Sequence, residues 1–308
     1  ALPWVAPVLR AMPQVAEVIE LPFAHGRLDW AARKAMAATL RGRFERAYVL
    51  PNSIKSALLP WLARIPRRLG YQGEGRWLLL NQRLANPPRG QERPPMAAYY
   101  GALAGRTASK LKPQLSLPPA QVEAVLQRVG VSRRAYWVFA PGAEYGPAKR
   151  WPSEHYAALA RQLFAQSRQP VLLLGSAKEG EICEEISLLA PGACHVMAGR
   201  TTLDEAMALI AGARGMVSND SGLMHVAAAF GIPQAAVFGS TSPEHTPPLS
   251  SQARVVWLKS ELGLDCMPCF ERTCRFGHYR CLTEVQPARV AEALRDALGE
   301  VPASTTPL

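Results

Sequence analysis

Short apolar runs alternate with amphipathic stretches along the second half of the chain, from Tyr136 onward. The runs have the length of buried strands, whereas the stretches between them repeat their apolar positions with the period of a helix. The predicted strands lie near residues 136–140, 170–174, 194–197, 215–218 and 234–239. The predicted helices lie at about residues 153–166, 179–190, 203–212 and 221–230. This alternation predicts a parallel, doubly wound α/β sheet.

The first half carries a weaker version of the same pattern. A helix is predicted at residues 28–43, a short strand at 47–50, and a second helix from its cap at Ser53 to about Ala63. A last amphipathic helix is predicted at residues 287–299. The predicted domains are residues 1–134, residues 135–286 with a cysteine-containing loop at 261–286, and residues 287–308 as a helix and tail.

The strand predicted at residues 215–218 leads directly into a group of small and polar residues. Asp220 and Ser221 are residues that commonly begin a helix, and Gly222 lets a ligand approach the backbone closely. His225 follows Ser221 by four positions, so both project from one helix face. The free N–H groups and positive dipole end there suit a phosphate. An ordinary βαβ turn with a core histidine is the alternative interpretation.

A second loop follows the strand predicted at residues 136–140. It spans Pro141–Pro152, and its prolines and glycines predict a rigid loop at the carboxyl end of a strand, where open α/β sheets bind ligands. Lys149 and Arg150 suit an anion, or else form a pair of solvated surface charges. We expect Arg150 and Trp151 to act as structural supports.

Charge is distributed unevenly along the 308 residues. The net charge is +11, but residues 1–134 carry +14 and the remainder carries −3. A basic half predicts a surface that faces a polyanion, either nucleic acid or a phosphorylated lipid, although a basic surface that aids solubility remains open. Lys55 lies in the first turn of a predicted helix, where it opposes the helix dipole. The residues expected to face an anionic acceptor are Asn52, Ser53, Lys55 and Arg67.

Several ordered segments together resemble the lipopolysaccharide heptosyltransferases. They are residues 141–152 (PGAEYGPAKRWP), 174–179 (LGSAKE), 198–203 (AGRTTL) and 219–229 (NDSGLMHVAAA), with further likeness at 21–26, 47–58 and 70–74. The resemblance implies a GT-B fold of two Rossmann-like domains, with the last helix crossing back to the first. It implies inverting, metal-independent transfer of heptose from ADP-heptose onto the first heptose of the lipopolysaccharide inner core.

The same resemblance implies partners and a location. The acceptor would be heptosyl-Kdo2-lipid A, met by a monomer on the inner face of the inner membrane of a Gram-negative cell, with no nucleic acid involved. No run approaches the ~18–20 apolar residues of a membrane span, and no signal peptide is visible. We therefore expect a soluble, cytoplasmic protein with peripheral membrane contact.

Sugar transfer from a diphosphate donor needs a neutralised leaving group and a deprotonated acceptor hydroxyl. The chain has five aspartates, none in an Asp-x-Asp pair that would hold a divalent metal, so fixed protein charge is expected to replace one. Lys149 is the predicted catalytic cation that stabilises the leaving-group phosphates. The helix start at Ser221 and Gly222 is expected to contribute to this stabilisation, as is His225. By resemblance, Glu179 would bind the adenosine ribose, Glu144 the donor sugar or phosphates, and Asp220 the donor sugar.

The start of the chain departs from the family. Heptosyltransferases usually begin with a strand and a Gly-Asp turn whose aspartate is the presumed general base, and no Gly-Asp pair occurs in this sequence. Leu2-Pro3-Trp4 resembles a segment some ~40 residues into a full-length member, about one βαβ unit. We therefore expect an incomplete first sheet, and a chain that binds nucleotide but transfers sugar poorly.

Six cysteines fall into two groups. Cys183 and Cys194 are expected in the core. Cys266, Cys269, Cys274 and Cys281 lie close together in one loop, where they would hold a structural zinc or remain free thiols. Two other functions therefore stay open besides the enzyme. One is a non-catalytic nucleotide-sugar-binding protein of the same fold, and the other is a basic, zinc-containing nucleic-acid-binding protein with steeply salt-dependent affinity.

Overall fold

The computed structural model of the protein describes residues 1–23, 28–88, 94–106 and 112–300. The chain divides into two units, residues 1–10 with 15–111 and residues 11–14 with 112–308. Residues 24–26 of the family motif at 21–26, and the tail from residue 301, lie outside the described ranges. The two units divide near residue 112. The domain boundary predicted at residue 134 stays a prediction.

The first unit contains a three-stranded parallel sheet. Its strands are β1 (Arg46–Val49), β2 (Arg67–Tyr71) and β3 (Gln82–Leu84), in that order across the sheet. Its described helices are α1 (Ala6–Arg10), α2 (Trp30–Leu40), α3 (Ile54–Leu62) and α4 (Met96–Leu103). The predicted helix, strand and capped helix are confirmed as α2, β1 and α3, and Ser53 caps α3 by accepting from the Ser56 N–H.

The register of β1 and β2 decides which loops of this unit meet. Arg46 lies opposite Arg67, and Val49 lies opposite Gly70. Because the strands are parallel, the segments that follow Val49 and Tyr71 leave from the same carboxyl edge of the sheet. Arg67 instead begins β2 at the amino edge.

The second unit contains a six-stranded parallel sheet in the order β6-β5-β4-β7-β8-β9. Its strands are β4 (Trp137–Ala140), β5 (Val171–Leu173), β6 (Cys194–Val196), β7 (Gly215–Asn219), β8 (Gln234–Val237) and β9 (Ala253–Val256). Its described helices are α5 (Pro119–Val129), α6 (Ser153–Ser167), α7 (Gly180–Leu189), α8 (Leu203–Gly212), α9 (Gly222–Phe230), α10 (Lys259–Leu262), α11 (Arg280–Thr283) and α12 (Pro287–Leu298). The five predicted strands and four predicted helices are confirmed, while β9 was not predicted.

The strand order of this sheet reverses beside β4. The chain adds β5 and β6 on one side of β4, then returns to place β7, β8 and β9 on the other. A crevice forms where the connections diverge, here between the carboxyl ends of β4 and β7, and open α/β sheets bind ligands at such a point. Both loops selected from the sequence leave from this place.

Helix α12 packs on β8, β9 and α6 of its own unit. Its buried face of Val290, Ala291 and Leu294 joins the core of the second sheet. That the C-terminal segment crosses back to the first domain stays a prediction. No helix in the described residues combines the length and the hydrophobicity that a membrane span requires.

Candidate functional site

Asn219, the last residue of β7, ties the two selected loops together. Its Nδ2 donates to the carbonyl oxygens of Pro141 at 2.6 Å and Gly142 at 3.3 Å. Its Oδ1 accepts from the Trp151 N–H at 3.0 Å and from the Tyr156 hydroxyl at 3.1 Å. The side chain has no exposed surface. Asn219 therefore fixes both ends of the loop that follows β4, a role that the sequence reasoning missed.

Lys149 and Asp220 form an ion pair across the crevice between β4 and β7. Lys149 Nζ lies 2.6 Å from Asp220 Oδ2, and the two side chains are 15% and 7% exposed. The Thr241 hydroxyl donates to the same carboxylate oxygen at 2.8 Å. The structure thus brings together two predicted donor residues, and it shows that Asp220 holds the Lys149 ammonium group in place.

The aromatic ring of Tyr145 lies beside this cation. Lys149 Nζ is 5.0 Å from the ring centroid, and the Arg272 guanidinium carbon is 5.3 Å from it. The Tyr145 hydroxyl donates to the Phe270 carbonyl. Arg272 is therefore a second cation next to the loop that carries Lys149, and sequence reasoning did not select it.

The loop after β4 also needs its glycine at position 146. Gly146 has a φ of 149°, and a Cβ built there would overlap the Arg272 carbonyl. The neighbouring Ala148 N–H donates to that carbonyl at 3.1 Å. The cysteine-containing segment thus packs directly on the loop that carries Lys149.

The N-terminus of α9 presents polar groups at the same crevice. Ser221 is the N-cap residue but makes no capping bond, and its buried Oγ has no hydrogen-bond partner among the described residues. Gly222 is exposed, and a Cβ built on it would meet nothing within 4 Å. The first turn of this helix therefore offers N–H groups and a hydroxyl to a ligand.

His225 lies one turn further along α9. Although the residue keeps solvent access, the protein around the imidazole desolvates it and lowers its pKa below the ordinary 6.5. The Lys149 charge lowers this pKa further, while Asp220 opposes the shift. His225 is therefore neutral near pH 7 and can serve as a hydrogen-bond donor.

Glu179 lies between the loops that follow β4 and β5. Its Oε2 accepts from the Ser176 N–H at 2.7 Å and from the Ser176 hydroxyl at 3.0 Å. Its carboxyl group also fills the space beside Gly142, so a Cβ at that position would require the Glu179 side chain to move. The ribose-binding role of Glu179 remains a prediction, as does the donor role of Glu144, which is exposed on the loop that follows β4.

Arg150 and Trp151, which were predicted to be structural supports beside Lys149, differ in their hydrogen bonds. Trp151 is fully buried, and its indole N–H donates to the Val285 carbonyl at 2.8 Å. Arg150 has a buried Nε without a hydrogen-bond partner in the described part of the chain. Trp151 therefore acts as the expected support.

In the first unit, three of the four predicted acceptor residues lie together and the fourth does not. Asn52, Ser53 and Lys55 follow the carboxyl end of β1, whereas Arg67 begins β2 at the opposite edge of the sheet. The Asn52 amide bonds to Tyr99 and Arg76. Arg76, buried beside these residues, was missed because it lies outside any predicted element.

The cysteines separate as the sequence predicted. Cys183 and Cys194 are buried, and burial raises the pKa of each thiol to about 12. The residues that line one small cavity include Cys266, Cys269, Cys274, Cys281 and His278. All six thiols are free, and in the described ranges no three His, Cys, Asp or Glu side chains are placed to hold one ion.

Comparison with known proteins gives consistent matches over nearly the whole chain. Residues 33–280 match the model of Glycosyltransferase family 9 (heptosyltransferase). The chain is 41% identical to lipopolysaccharide heptosyltransferase 2 of Escherichia coli over 96% of its length and 87% of that protein. It is 39% identical to lipooligosaccharide heptosyltransferase 2 of Haemophilus influenzae, over 96% of its length and 89% of that protein.

The solved structure of E. coli ADP-heptose lps heptosyltransferase II is similar as well. It matches with a TM-score of 0.80 and 39% identity, over 97% of this chain and 88% of the other. The predicted α/β, GT-B-like fold class is confirmed by this match together with the two parallel sheets.

Proposed function

Because this chain belongs to glycosyltransferase family 9, the heptosyltransferases, we propose that it moves L-glycero-D-manno-heptose from ADP-heptose onto the first heptose of the lipopolysaccharide inner core. The family and the class of enzyme predicted from the sequence are thereby confirmed. The non-catalytic nucleotide-sugar-binding protein and the nucleic-acid-binding protein are not favoured.

One observation carries the donor half of this proposal. The Lys149 ammonium and the first turn of α9 meet where the strand order of the second sheet reverses, together with the Ser221 hydroxyl, which has no partner among the described residues. We assign the donor diphosphate to this place, with the neutral His225 donating a further hydrogen bond. A cation and N–H groups aimed at the departing phosphate stabilise the charge that develops as the sugar leaves.

The ion pair explains how a carboxylate can lie next to a diphosphate site. An unpaired Asp220 would repel the phosphates, but its charge is offset by Lys149 at 2.6 Å. Asp220 in turn fixes the direction of the ammonium, so no reorganisation is needed when the donor binds. We propose that the transfer needs no metal, because the sequence lacks the Asp-x-Asp pair that would hold one.

The acceptor half rests on the first unit. Residues 1–134, which contain the whole first unit and the beginning of the second, carry a net charge of +14, which suits a phosphorylated, Kdo-bearing lipid. We assign heptosyl-Kdo2-lipid A to the carboxyl edge of the first sheet, with Ser53 and Lys55 nearby, and we propose peripheral contact with the inner membrane surface. Arg67 does not belong to this assignment, because it lies at the other edge of that sheet.

Calorimetric titration with ADP in the presence of EDTA tests the donor half. We expect one ADP per chain, with UDP and GDP binding at least about tenfold more weakly, since contacts to the base discriminate between nucleotides that share the same ribose and diphosphate. If the folded protein binds no ADP, or binds all three nucleotides alike, the assignment of the donor site to the second unit is wrong.

A structural zinc at the cysteine loop is a separate proposal. It is supported by four sulfurs around one cavity and by a lowered pKa of the Cys274 thiol, where burial acts to raise the pKa but the backbone N–H groups of residues 276–279 lower it by more. The present side-chain positions oppose it, since no three potential ligands converge in the described residues. Elemental analysis decides it: one zinc per chain supports the site, and six titratable thiols without metal contradict it.

A further inference from the structure

Arg76 is a buried cation of the first unit. Its side chain is 1% exposed, and it forms no salt bridge within the described ranges. Burial lowers its pKa, while Tyr99 and the exposed Glu74 raise it. Because an arginine in the interior is costly unless every donor is satisfied, its bonds indicate what the residue does.

Every branch of the Arg76 guanidinium reaches the loops at the carboxyl edge of the first sheet. Nε and Nη2 donate to the Tyr71 carbonyl, at 3.1 and 2.6 Å, at the end of β2. Nη2 donates to Asn52 Oδ1 at 2.9 Å, and Nη1 donates to the Pro51 carbonyl. Nη1 also lies 3.4 Å from both the Ser53 carbonyl and the Ser56 hydroxyl.

A second set of contacts holds the same segment from α4. Asn52 Nδ2 donates to the Tyr99 hydroxyl at 3.1 Å, and that hydroxyl donates to Asn86 Oδ1 at 2.7 Å. The Tyr99 ring stacks on Tyr71 with centroids 3.8 Å apart. The Asn52 amide is thus engaged at both its oxygen and its nitrogen.

These contacts change the role of Asn52. The sequence selected it as an acceptor ligand, but its polar atoms bind protein groups. We propose that Arg76 is a positioning residue for the acceptor site, which fixes the segment Pro51–Ser56 (the acceptor loop) at the carboxyl edge of the first sheet. This inference rests on the proposed function, since that loop carries Ser53 and Lys55.

The geometry of the guanidinium is what such a role needs. A planar fork with five donors bonds to several carbonyl groups at once, whereas an ammonium is a point charge with three donors. A lysine at position 76 would keep the charge but lose the fork. Positioning therefore predicts that Arg76→Lys fails nearly as completely as Arg76→Gln, while a purely electrostatic role predicts that lysine suffices.

The test measures acceptor KM, kcat and amide hydrogen exchange in Arg76→Lys and Arg76→Gln. We expect acceptor KM to rise at least about tenfold, equivalent to about 1.4 kcal/mol, with ADP affinity unchanged and faster exchange at residues 52–56. Arg46→Lys is the matched control, because Arg46 is exposed at the amino end of β1. Tyr99→Phe removes one link while keeping the ring, so a two- to threefold rise is expected even if the Arg76 variants do not fold.

Three results would overturn the positioning role. They are unchanged KM and exchange in folded Arg76→Lys, full rescue by lysine of the loss seen with glutamine, and equal exchange in Tyr99→Phe and wild type. If wild-type protein transfers no heptose, the proposed function fails instead. The exchange data would still report on whether Arg76 holds the acceptor loop.

Discussion

Replacing Lys149 with alanine is expected to weaken ADP binding by about 1–3 kcal/mol and to lower kcat by about 10²–10³-fold. The variant removes the cation that faces the diphosphate, and it leaves Asp220 without its partner at 2.6 Å. The larger effect on kcat follows because the leaving group gains charge as the sugar departs. Titration calorimetry gives the first number, and a steady-state transfer assay gives the second.

A double variant separates the loss of the Lys149 cation from the effect of an unpaired Asp220, and a second variant serves as a control. Lys149→Ala combined with Asp220→Asn removes the unpaired carboxylate, so any recovery of ADP affinity measures repulsion by Asp220. Lys259→Ala removes one charge from an exposed position on α10 of the same unit and is expected to change neither number. If Lys149→Ala alone binds ADP as tightly as wild type, Lys149 does not contact the donor phosphates.

Replacing Asn219 with alanine is expected to lower the free energy of unfolding of the second unit by about 3–5 kcal/mol, because buried groups left without partners each cost about 1–3 kcal/mol. The groups left behind include the Trp151 N–H, the Tyr156 hydroxyl and the Pro141 carbonyl. Because the loop would lose both of its anchors, ADP affinity should fall as well. Urea unfolding followed by tryptophan fluorescence measures the stability change.

Tyr156→Phe is the control for this prediction. It removes one of the four bonds to Asn219 while keeping the buried ring, so a loss of about 0.5–1.5 kcal/mol is expected. Asn219→Ala costing no more than Tyr156→Phe would mean that Asn219 is not the anchor of the loop.

The two donor loops could be predicted from the sequence because their signals are local. An apolar strand followed by glycine, proline or a helix cap is a pattern that spans about a dozen residues. Both loops follow the strands after which they were predicted. The ion pair between Lys149 and Asp220 could not be predicted in this way, since the partners are 71 positions apart. The pair forms because β7 lies next to β4 in the sheet, and no short sequence pattern predicts the order of the strands.

In the first unit as well, the pairing of strands could not be predicted from local sequence patterns. Arg67 was selected because it follows a predicted helix within a basic stretch, but the pairing of β2 with β1 places it at the amino edge. Arg76 lies in a short 3₁₀ turn after β2, where no periodic pattern marks a buried position. Strands β2 and β3 were missed because their sequences, RRLGY and QRL, contain no apolar run, and β3 is exposed throughout.

The most direct test of the central claim is heptosyl transfer by the purified protein in EDTA. The protein is incubated with ADP-heptose and heptosyl-Kdo2-lipid A, and the lipid is then examined by mass spectrometry, with Kdo2-lipid A as the control acceptor. We predict that the heptose-bearing lipid gains one heptose for each ADP released, while the control lipid gains much less. A folded protein that adds heptose to both lipids alike, or that transfers it only when a divalent metal is supplied, would contradict the account.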